Sequence, residues 1–348
     1  MKLKSVRFIF ILLVLIFTSC SVKNKTDNNS PKQNVPAINN KILTPQTGGE
    51  FFLKYNLHSG KKIRYKIVTT SNNYQELIAD STIRSEASQK VEYIISVKTI
   101  EVSDTGKIKL NFYVESIKAT GNINGQKINY DSKYIQSTQE RLIFAQYEAI
   151  KKKSFSIDID KTGEVLKLYN TKKMTDELIS IQETGTKMTS NQKKELAKNF
   201  IDVALRPLAK QIFQKFPDKK VSINSTWNEN YLSQLASFQI ENVVTYTIAD
   251  IVKRNKDSVI VINAALSTNW RGNHTASEKG MNFYFYDPII SGSGIVKFNK
   301  TIGLITYSET TTKMELSTDI TGTDLNGKFI KGKRTDNSSN TNITQLLQ

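Results

Sequence analysis

The fold is decided by residues 107–119, whose sequence is KIKLNFYVESIKA. Apolar side chains at positions 108, 110, 112 and 114 alternate with lysine, asparagine, tyrosine and glutamate. This period of two is typical of a strand with one buried face. A similar strand over residues 90–102 precedes it, and the turn Ser103-Asp104-Thr105-Gly106 joins the two. Comparable strand-and-turn patterns recur over residues 62–70, 155–169 and 239–317, so we expect an antiparallel sheet through most of the chain.

Helical periodicity is concentrated between two groups of strands. Residues 171–216 carry apolar side chains at three- and four-residue spacing, and Pro207 inside this pattern predicts a kink. Long strands with a block of helices favour the α+β class, here a mainly antiparallel curved sheet with a helical insert around 171–216. Helices on the concave side would make it resemble the half-barrel of periplasmic lipoprotein carriers, as an analogy of fold only.

The strand-rich regions on either side of the helices resemble each other. Residues 95–110 align without gaps with 246–261, and residues 157–168 align with 296–307 in the same order. One interpretation is a duplicated half-sheet, with halves at 51–170 and 221–335. The other is that amphipathic hairpins resemble one another because alternation and turn residues are common to all of them.

The two ends of the chain are predicted to lie outside the domain at 51–335. Residues 1–19 have the basic start of a signal peptide and an apolar run of ten residues, well short of the roughly 20 that span a bilayer. Residues 20–50 are polar and predict a disordered tether, and the asparagine-rich residues 336–348 predict a disordered tail.

The stretch Phe17-Thr18-Ser19-Cys20 closes the apolar run with the one cysteine of the chain. It resembles the lipobox of bacterial lipoproteins, which implies that Cys20 is acylated and becomes the first residue of the mature protein. The expected location is the bacterial cell envelope, as a membrane-anchored lipoprotein on an outer-membrane, periplasmic or surface face. With Cys20 used in this way, the chain has no disulfide, thiol nucleophile or cysteine metal site.

The formal net charge is +17, from 49 lysines and arginines against 32 acidic residues. This excess is spread along the chain, which indicates a solvated lysine-rich surface or an affinity for anionic lipid or acidic polysaccharide. Nucleic acid is not expected as a partner, because the chain is predicted to be exported and carries no nucleic-acid-binding motif. The expected partners are the membrane through the N-terminal lipid and either a hydrophobic ligand or an envelope protein.

Several short segments together with the lipobox resemble one known family. They are Leu53-Lys54-Tyr55, Tyr65-Lys66-Ile67-Val68, Asp160-Lys161-Thr162-Gly163, and 216–221 leading to Ser225-Thr226-Trp227. The chain is similar over about residues 51–334 to uncharacterised exported bacterial lipoproteins defined by a domain of unknown function. Where that family has a glycine before Thr-Trp, this chain has Asn224-Ser225. The resemblance implies a shape and a location, and it carries no activity and no site residues.

No catalytic, cofactor or metal site is predicted. His58 and His274 lie in polar loops, without the spacing of a metal site. A glycosidase would need two carboxylates about 5 to 10 Å apart, and the candidates are Asp158, Asp160, Glu76 and Glu92. Alternating charge on solvated strands explains these four carboxylates more simply.

The candidate ligand-binding residues are aromatic: Trp227, Trp270, Phe283 and Phe285. They would either pack the core or form a stacking or acyl-chain surface inside a concave sheet. The leading hypothesis is a lipid-anchored, non-enzymatic module of the cell envelope that binds an apolar or amphipathic ligand. The alternatives are an envelope hydrolase acting on glycan or ester, and a structural or assembly lipoprotein that works through its sheet edge or basic face.

Overall fold

The computed structural model describes residues 49–183, 187–235, 238–254, 256–278, 280–323 and 329–347. The predicted signal segment, Cys20 and the predicted tether up to residue 48 lie outside these ranges. The strands in them are β1 (Lys62–Ile78), β2 (Thr82–Val102), β3 (Ile108–Ile123), β4 (Gln126–Asp131), β5 (Ser154–Ile159), β6 (Val165–Tyr169), β7 (Thr226–Leu235), β8 (Phe238–Arg254), β9 (Asp257–Arg271), β10 (Thr275–Glu278), β11 (Met281–Phe285), β12 (Ile289–Asn299), β13 (Leu304–Thr323) and β14 (Phe329–Leu347). The helices are α1 (Thr138–Ile143), α2 (Ala145–Ile150), α3 (Lys172–Glu183), α4 (Ser190–Phe200) and α5 (Arg206–Ile212), with a π-helical turn at Ile201–Leu205.

All fourteen strands belong to one antiparallel sheet. Its order is β6-β5-β3-β2-β1-β14-β13-β12-β9-β8-β7, with β4 paired to β3 and the β10–β11 hairpin paired to β13. The sheet is open and curved. Its two ends are β6 and β7.

The predicted α+β class is wrong, because the protein is mainly β, with 60% of the described residues in strands and 16% in helices. The strands are longer than their apolar alternation indicated. β1 and β2 continue through the polar residues 71–78 and 82–89, and every residue of these extensions is paired between the two strands. Backbone hydrogen bonds do not depend on the side chain, so a polar segment with neighbouring strands can remain in the ladder.

The predicted disordered tail at 336–348 is also wrong for residues 336–347. They form the second half of β14, which lies at the centre of the sheet between β1 and β13. Asn340 faces Ser71 on one side and Thr312 on the other, and the Ser71 hydroxyl donates to its side-chain oxygen. A polar composition predicts disorder only when its side chains lack partners, and here the neighbouring strands supply them.

The two regions that resemble each other in sequence have the same strand order. The first pairs as β1-β2-β3-β5-β6 and the second as β7-β8-β9-β12-β13. The turns after β5 and β12 share their chemistry, because Asp160 accepts hydrogen bonds from backbone amides of its turn, as Asn299 does in the second region. The duplication itself stays a prediction.

The helices lie on the inner face of the sheet, and α5 contacts β1 and β6. Helix α1 begins with the predicted capping box of Ser137 and Glu140. The kink expected at Pro207 takes the form of the π-helical turn that precedes it. The main core joins inner-face residues such as Phe112 to helix-side residues such as Leu178 and Phe213. In the described part of the chain, no helix is both long and apolar enough to cross a membrane.

Candidate functional site

A cavity of about 780 Å³ lies between the inner face of the sheet and the chain that follows α5. Strands β7, β8, β9, β12, β13 and β14 form its floor. Residues 163–166, the residues around Gln211 on α5, and the segment 213–217 form the opposite side. The volume falls within the range of about 300–1,000 Å³ that is usual for small-molecule sites.

One row of paired residues crosses the floor and changes character along its length. From the edge strand inward it reads Trp227, Tyr246, Ala264, Gly294, Thr310 and Asn342, one from each strand. The row begins with two aromatic rings, passes through two small residues, and ends with a hydroxyl and an amide. A side chain at Gly294 would not fit, because its Cβ would lie 2.8 Å from the carbonyl oxygen of Glu309.

Trp227 and Tyr246 form the aromatic wall of the cavity. Their rings stack with centroids 5.3 Å apart and an interplanar angle of 16°. Burial raises the pKa of the Tyr246 hydroxyl well above its ordinary value, so this group stays protonated at neutral pH. The wall therefore presents uncharged apolar rings with polar tips.

Two buried polar atoms of the cavity lining have no hydrogen-bond partner among the described residues. They are Nε1 of Trp227, which is a donor, and Oε1 of Gln211, which is an acceptor. An unpaired buried polar group costs about 1–3 kcal/mol. A molecule in the cavity that offers an acceptor and a donor would remove this cost.

The polar wall lies on β13 and β14. It consists of Ser308 and Thr310 on one strand, paired with Thr344 and Asn342 on the other. The Thr69 hydroxyl donates to Oδ1 of Asn342 at 2.8 Å, which fixes the amide and leaves its nitrogen to donate elsewhere. The lining of this wall is uncharged.

The side of the cavity opposite the floor, which we call the roof, consists of residues 163–166, Gln211 and the segment 213–217. Tyr55 anchors this roof. Its hydroxyl accepts a hydrogen bond from the backbone nitrogen of Gln214 and donates to the carbonyl oxygen of the same residue, both at 2.9 Å. The ring of Phe216 stacks on that of Tyr55 with centroids 5.4 Å apart. Gly163 lies against both Tyr55 and Gln214 with φ at +95°. The roof is thus fixed to the core by contacts that leave little space for an added side chain.

The structure separates the four aromatic residues predicted to bind a ligand. Trp227 lines the cavity, whereas Trp270, Phe283 and Phe285 belong to a second, smaller apolar cluster. There Trp270 stacks on Phe238 with centroids 3.6 Å apart, and its Nε1 donates to the carbonyl oxygen of Gly272. A ligand in the cavity would contact only the first of the four residues.

The four carboxylates considered for a hydrolase each have their own structural partner. Asp158 accepts a hydrogen bond from the Tyr169 hydroxyl and pairs with Lys107 at 2.8 Å. Asp160 accepts a hydrogen bond from a backbone amide of its own turn. Glu92 pairs with Lys66, and Glu76 with Arg84, both at 2.7 Å.

These carboxylates are also spread along the sheet. Glu92 lies opposite Val68 of β1, and Glu76 lies eight residues further along that strand. Eight residues of a strand span about 27 Å. The strand register thus keeps Glu76 and Glu92 out of any shared cleft. Among the described residues, no group of three or more histidine, cysteine or acidic side chains is arranged to hold a metal ion.

A family described as "Family of unknown function (DUF6263)" matches residues 105–305, which is more than half of the chain. The chain belongs to this family. The match begins just before β3 and ends at the start of β13, so it includes the helices and four of the six floor strands in full. Among the curated proteins, none matches the chain.

The solved structures that match this chain share little sequence with it. A lipovitellin structure, "Lipid-protein interactions in lipovitellin", matches 84% of this chain with 10% identity and a TM-score of 0.40, and this chain spans 26% of that one. The outer membrane channel COG4313 from Pseudomonas putida F1 matches 84% of this chain and 97% of its own, with 8% identity and a TM-score of 0.16. OccK5 (OpdH) from Pseudomonas aeruginosa matches 82% of this chain over 98% of its own length, with 6% identity and a TM-score of 0.18.

The patterns described under sequence analysis predict neither the polar wall nor Gln211. One signal for the wall is present in β13, where successive inner-face positions 308, 310 and 312 are serine or threonine before Met314 and Leu316 restore the apolar pattern. Three polar residues in a row on a buried face are costly unless they have partners. Such a run therefore indicates a polar cavity wall.

Proposed function

We propose that this protein is a lipid-anchored, non-enzymatic module of the bacterial cell envelope that binds an amphipathic ligand in the cavity. The observation that carries the proposal is the floor row, which runs from stacked aromatic rings to hydroxyl and amide groups within one cavity. An amphipathic molecule matches this gradient if its apolar part lies on the aromatic wall and its polar part on β13 and β14.

The size of the cavity supports a ligand with a substantial apolar part. Each buried methylene contributes about 0.8 kcal/mol, so ten of them would contribute about 8 kcal/mol before the cost of ordering the ligand. The unpaired Trp227 Nε1 and Gln211 Oε1 add a specific reason for a polar group to enter. These contributions are sufficient for binding without any catalytic group.

The binding proposal is tested by filling the cavity. Ala264→Phe places a ring in the middle of the floor row, whereas Ala249→Phe adds the same ring at an exposed position of the neighbouring strand β8. Native mass spectrometry of the purified protein should find a co-purified ligand in the natural protein and in the Ala249→Phe variant, and less or none in the Ala264→Phe variant.

A second measurement applies if no ligand survives purification. An amphiphile with a brominated chain should quench the fluorescence of Trp227 in the Ala249→Phe variant and not in the Ala264→Phe variant. Equal quenching in both variants, or none in the natural protein, would contradict binding in the cavity.

The anchor is proposed from the sequence of residues 1–20. Cys20→Ala should remove the acyl chains and release the protein from membranes, because each buried methylene of an acyl chain contributes about 0.8 kcal/mol to anchoring. Cell fractionation and metabolic labelling with a fatty acid analogue measure the two effects. A Cys20→Ala variant that still carries label and still sediments with membranes would refute the anchor.

A further inference from the structure

We infer that the ligand is an electrically neutral amphiphile whose polar end carries hydroxyl or amide groups, as in an acylglycerol. This inference rests on the proposed function, since it names the chemical class that the same cavity would select. It separates neutral amphiphiles from fatty acids, anionic lipids and cationic amphiphiles of the same chain length.

On the inner face of the sheet, the described residues around the polar wall are uncharged. The inner-face residues that flank Thr310 and Asn342 in their row are Thr69 on β1 and Gly294 on β12. The row on one side continues through Ser71, Asn340, Thr312 and Gly292, and the row on the other side through Ile67, Thr344, Ser308 and Val296. A carboxylate or ammonium group placed here would be buried without a counter-ion, which is far more costly than burying a hydroxyl.

The polar wall offers both hydrogen-bond donors and hydrogen-bond acceptors. The hydroxyls of Ser308, Thr310 and Thr344 can each donate and accept, and Asn342 retains its amide nitrogen as a donor. A hydroxyl-bearing head group also donates and accepts, so it can pair with every one of these groups. A carboxylate can accept from these donors but offers no proton to the hydroxyl oxygens, and a trimethylammonium group neither donates nor accepts.

The charged residues of the lining lie on the opposite side of the cavity and on β7. Lys215 pairs with Glu164 at 2.7 Å, and Arg206 pairs with Asp202 at 3.2 Å. Lys210 and Glu229 are also engaged in interactions. Lys215 and Arg206, two of the three cations of the lining, are therefore paired within the protein, and an anionic head group at either would have to displace an existing partner.

The fluorescence of Trp227 provides the test. The chain has two tryptophans, and Trp270 lies in the second apolar cluster, so Trp270→Phe leaves Trp227 as the single reporter. Three probes with the same dibrominated eighteen-carbon chain are titrated below their aggregation concentrations. They are a monoacylglycerol, the free fatty acid at about pH 8, where its carboxyl group is ionised, and an alkyl trimethylammonium.

We expect the monoacylglycerol to bind with a Kd at least about tenfold lower than that of either charged probe. Equal or tighter binding of the fatty acid or the ammonium probe would overturn the inference while leaving the proposed function intact. If no probe quenches Trp227, the proposed function itself fails.

Two variants connect the selectivity to the polar wall. Thr310→Val keeps the shape of the side chain and removes a hydroxyl, and Asn342→Leu removes the amide. Each should raise the Kd of the monoacylglycerol and leave that of the fatty acid nearly unchanged, so that the difference between probes becomes smaller. If Asn342→Leu does not fold, the conservative Thr310→Val variant still decides the question. An unchanged preference in a folded Thr310→Val variant would refute the role of this wall.

Discussion

Replacing Gly163 with alanine should destabilise the protein more than the same replacement ordinarily does at a glycine with positive φ. Gly163 has φ at +95°, a conformation that costs an alanine about 1–2 kcal/mol. Its added Cβ would also lie 2.3 Å from Cε2 of Tyr55 and 2.4 Å from the carbonyl oxygen of Gln214. Because backbone and a core ring must move, overpacking should add about 1–3 kcal/mol. The expected loss of unfolding free energy is therefore about 2–5 kcal/mol.

Gly125 provides the matched control. Its φ is +85°, and a Cβ built there would meet nothing within 4 Å. Gly125→Ala should therefore cost only the backbone term of about 1–2 kcal/mol. Urea unfolding followed by far-ultraviolet circular dichroism gives both free energies under the same conditions. The difference between the two variants isolates the contact at the roof of the cavity.

A third variant separates the two contacts of Gly163. In a Tyr55→Ala background the ring is absent, so the additional cost of Gly163→Ala should fall without disappearing, because the carbonyl oxygen of Gln214 remains. If Gly163→Ala costs no more than Gly125→Ala in the natural background, the close packing of the roof is refuted.

Three further predictions concern buried polar groups. Burial disfavours the charge of Asp158, but hydrogen bonds from Lys107 and Tyr169 outweigh it, so the pKa of this carboxyl is lowered. The Asp158→Asn variant should therefore have a lower unfolding free energy than the natural protein, and this difference should be largest above about pH 5. The difference should shrink towards about pH 2 as the native carboxyl protonates. A difference that does not vary with pH would contradict this prediction. Thr312→Val removes a buried hydroxyl without a partner among the described residues, so its unfolding free energy should be unchanged or higher by about 1 kcal/mol, and a clear loss would show that the hydroxyl is bonded. Tyr130→Phe removes the hydrogen bond of 2.8 Å to the buried Glu148 and should cost about 1.5–3 kcal/mol in urea unfolding; a loss below about 0.5 kcal/mol would show that Glu148 does not need it.

Local features of the fold could be predicted because they depend on near neighbours in the chain. The alternation around Phe112 specifies a strand with one buried face. Ser137 and Glu140 specify the start of a helix, and Pro207 specifies an irregularity within one. The resemblance to a family of unknown function also agrees with the family that matches residues 105–305.

The candidate site could be predicted only in part. The sequence predicts Trp227 as an aromatic residue of a concave sheet, and it does line the cavity. The same prediction includes Trp270, Phe283 and Phe285, which the strand register places in another cluster. Gln211 carries no pattern in the sequence that would indicate a buried acceptor.

The sequence by itself determined the antiparallel strands, their turns and the helical region, because each depends on a short run of residues. The lipid attachment at Cys20 stays a prediction from the sequence. Only the tertiary structure decided that β14 lies at the centre of the sheet and that six strands bring Trp227, Thr310 and Asn342 into one row. The physical reason is that the register between two strands far apart in the sequence is fixed by the backbone hydrogen bonds between them. It is also fixed by the burial of their side chains against other parts of the fold. Neither depends on the composition of the segment itself, so polar residues that suggest disorder in isolation become a ladder and a cavity wall once neighbours pair with them.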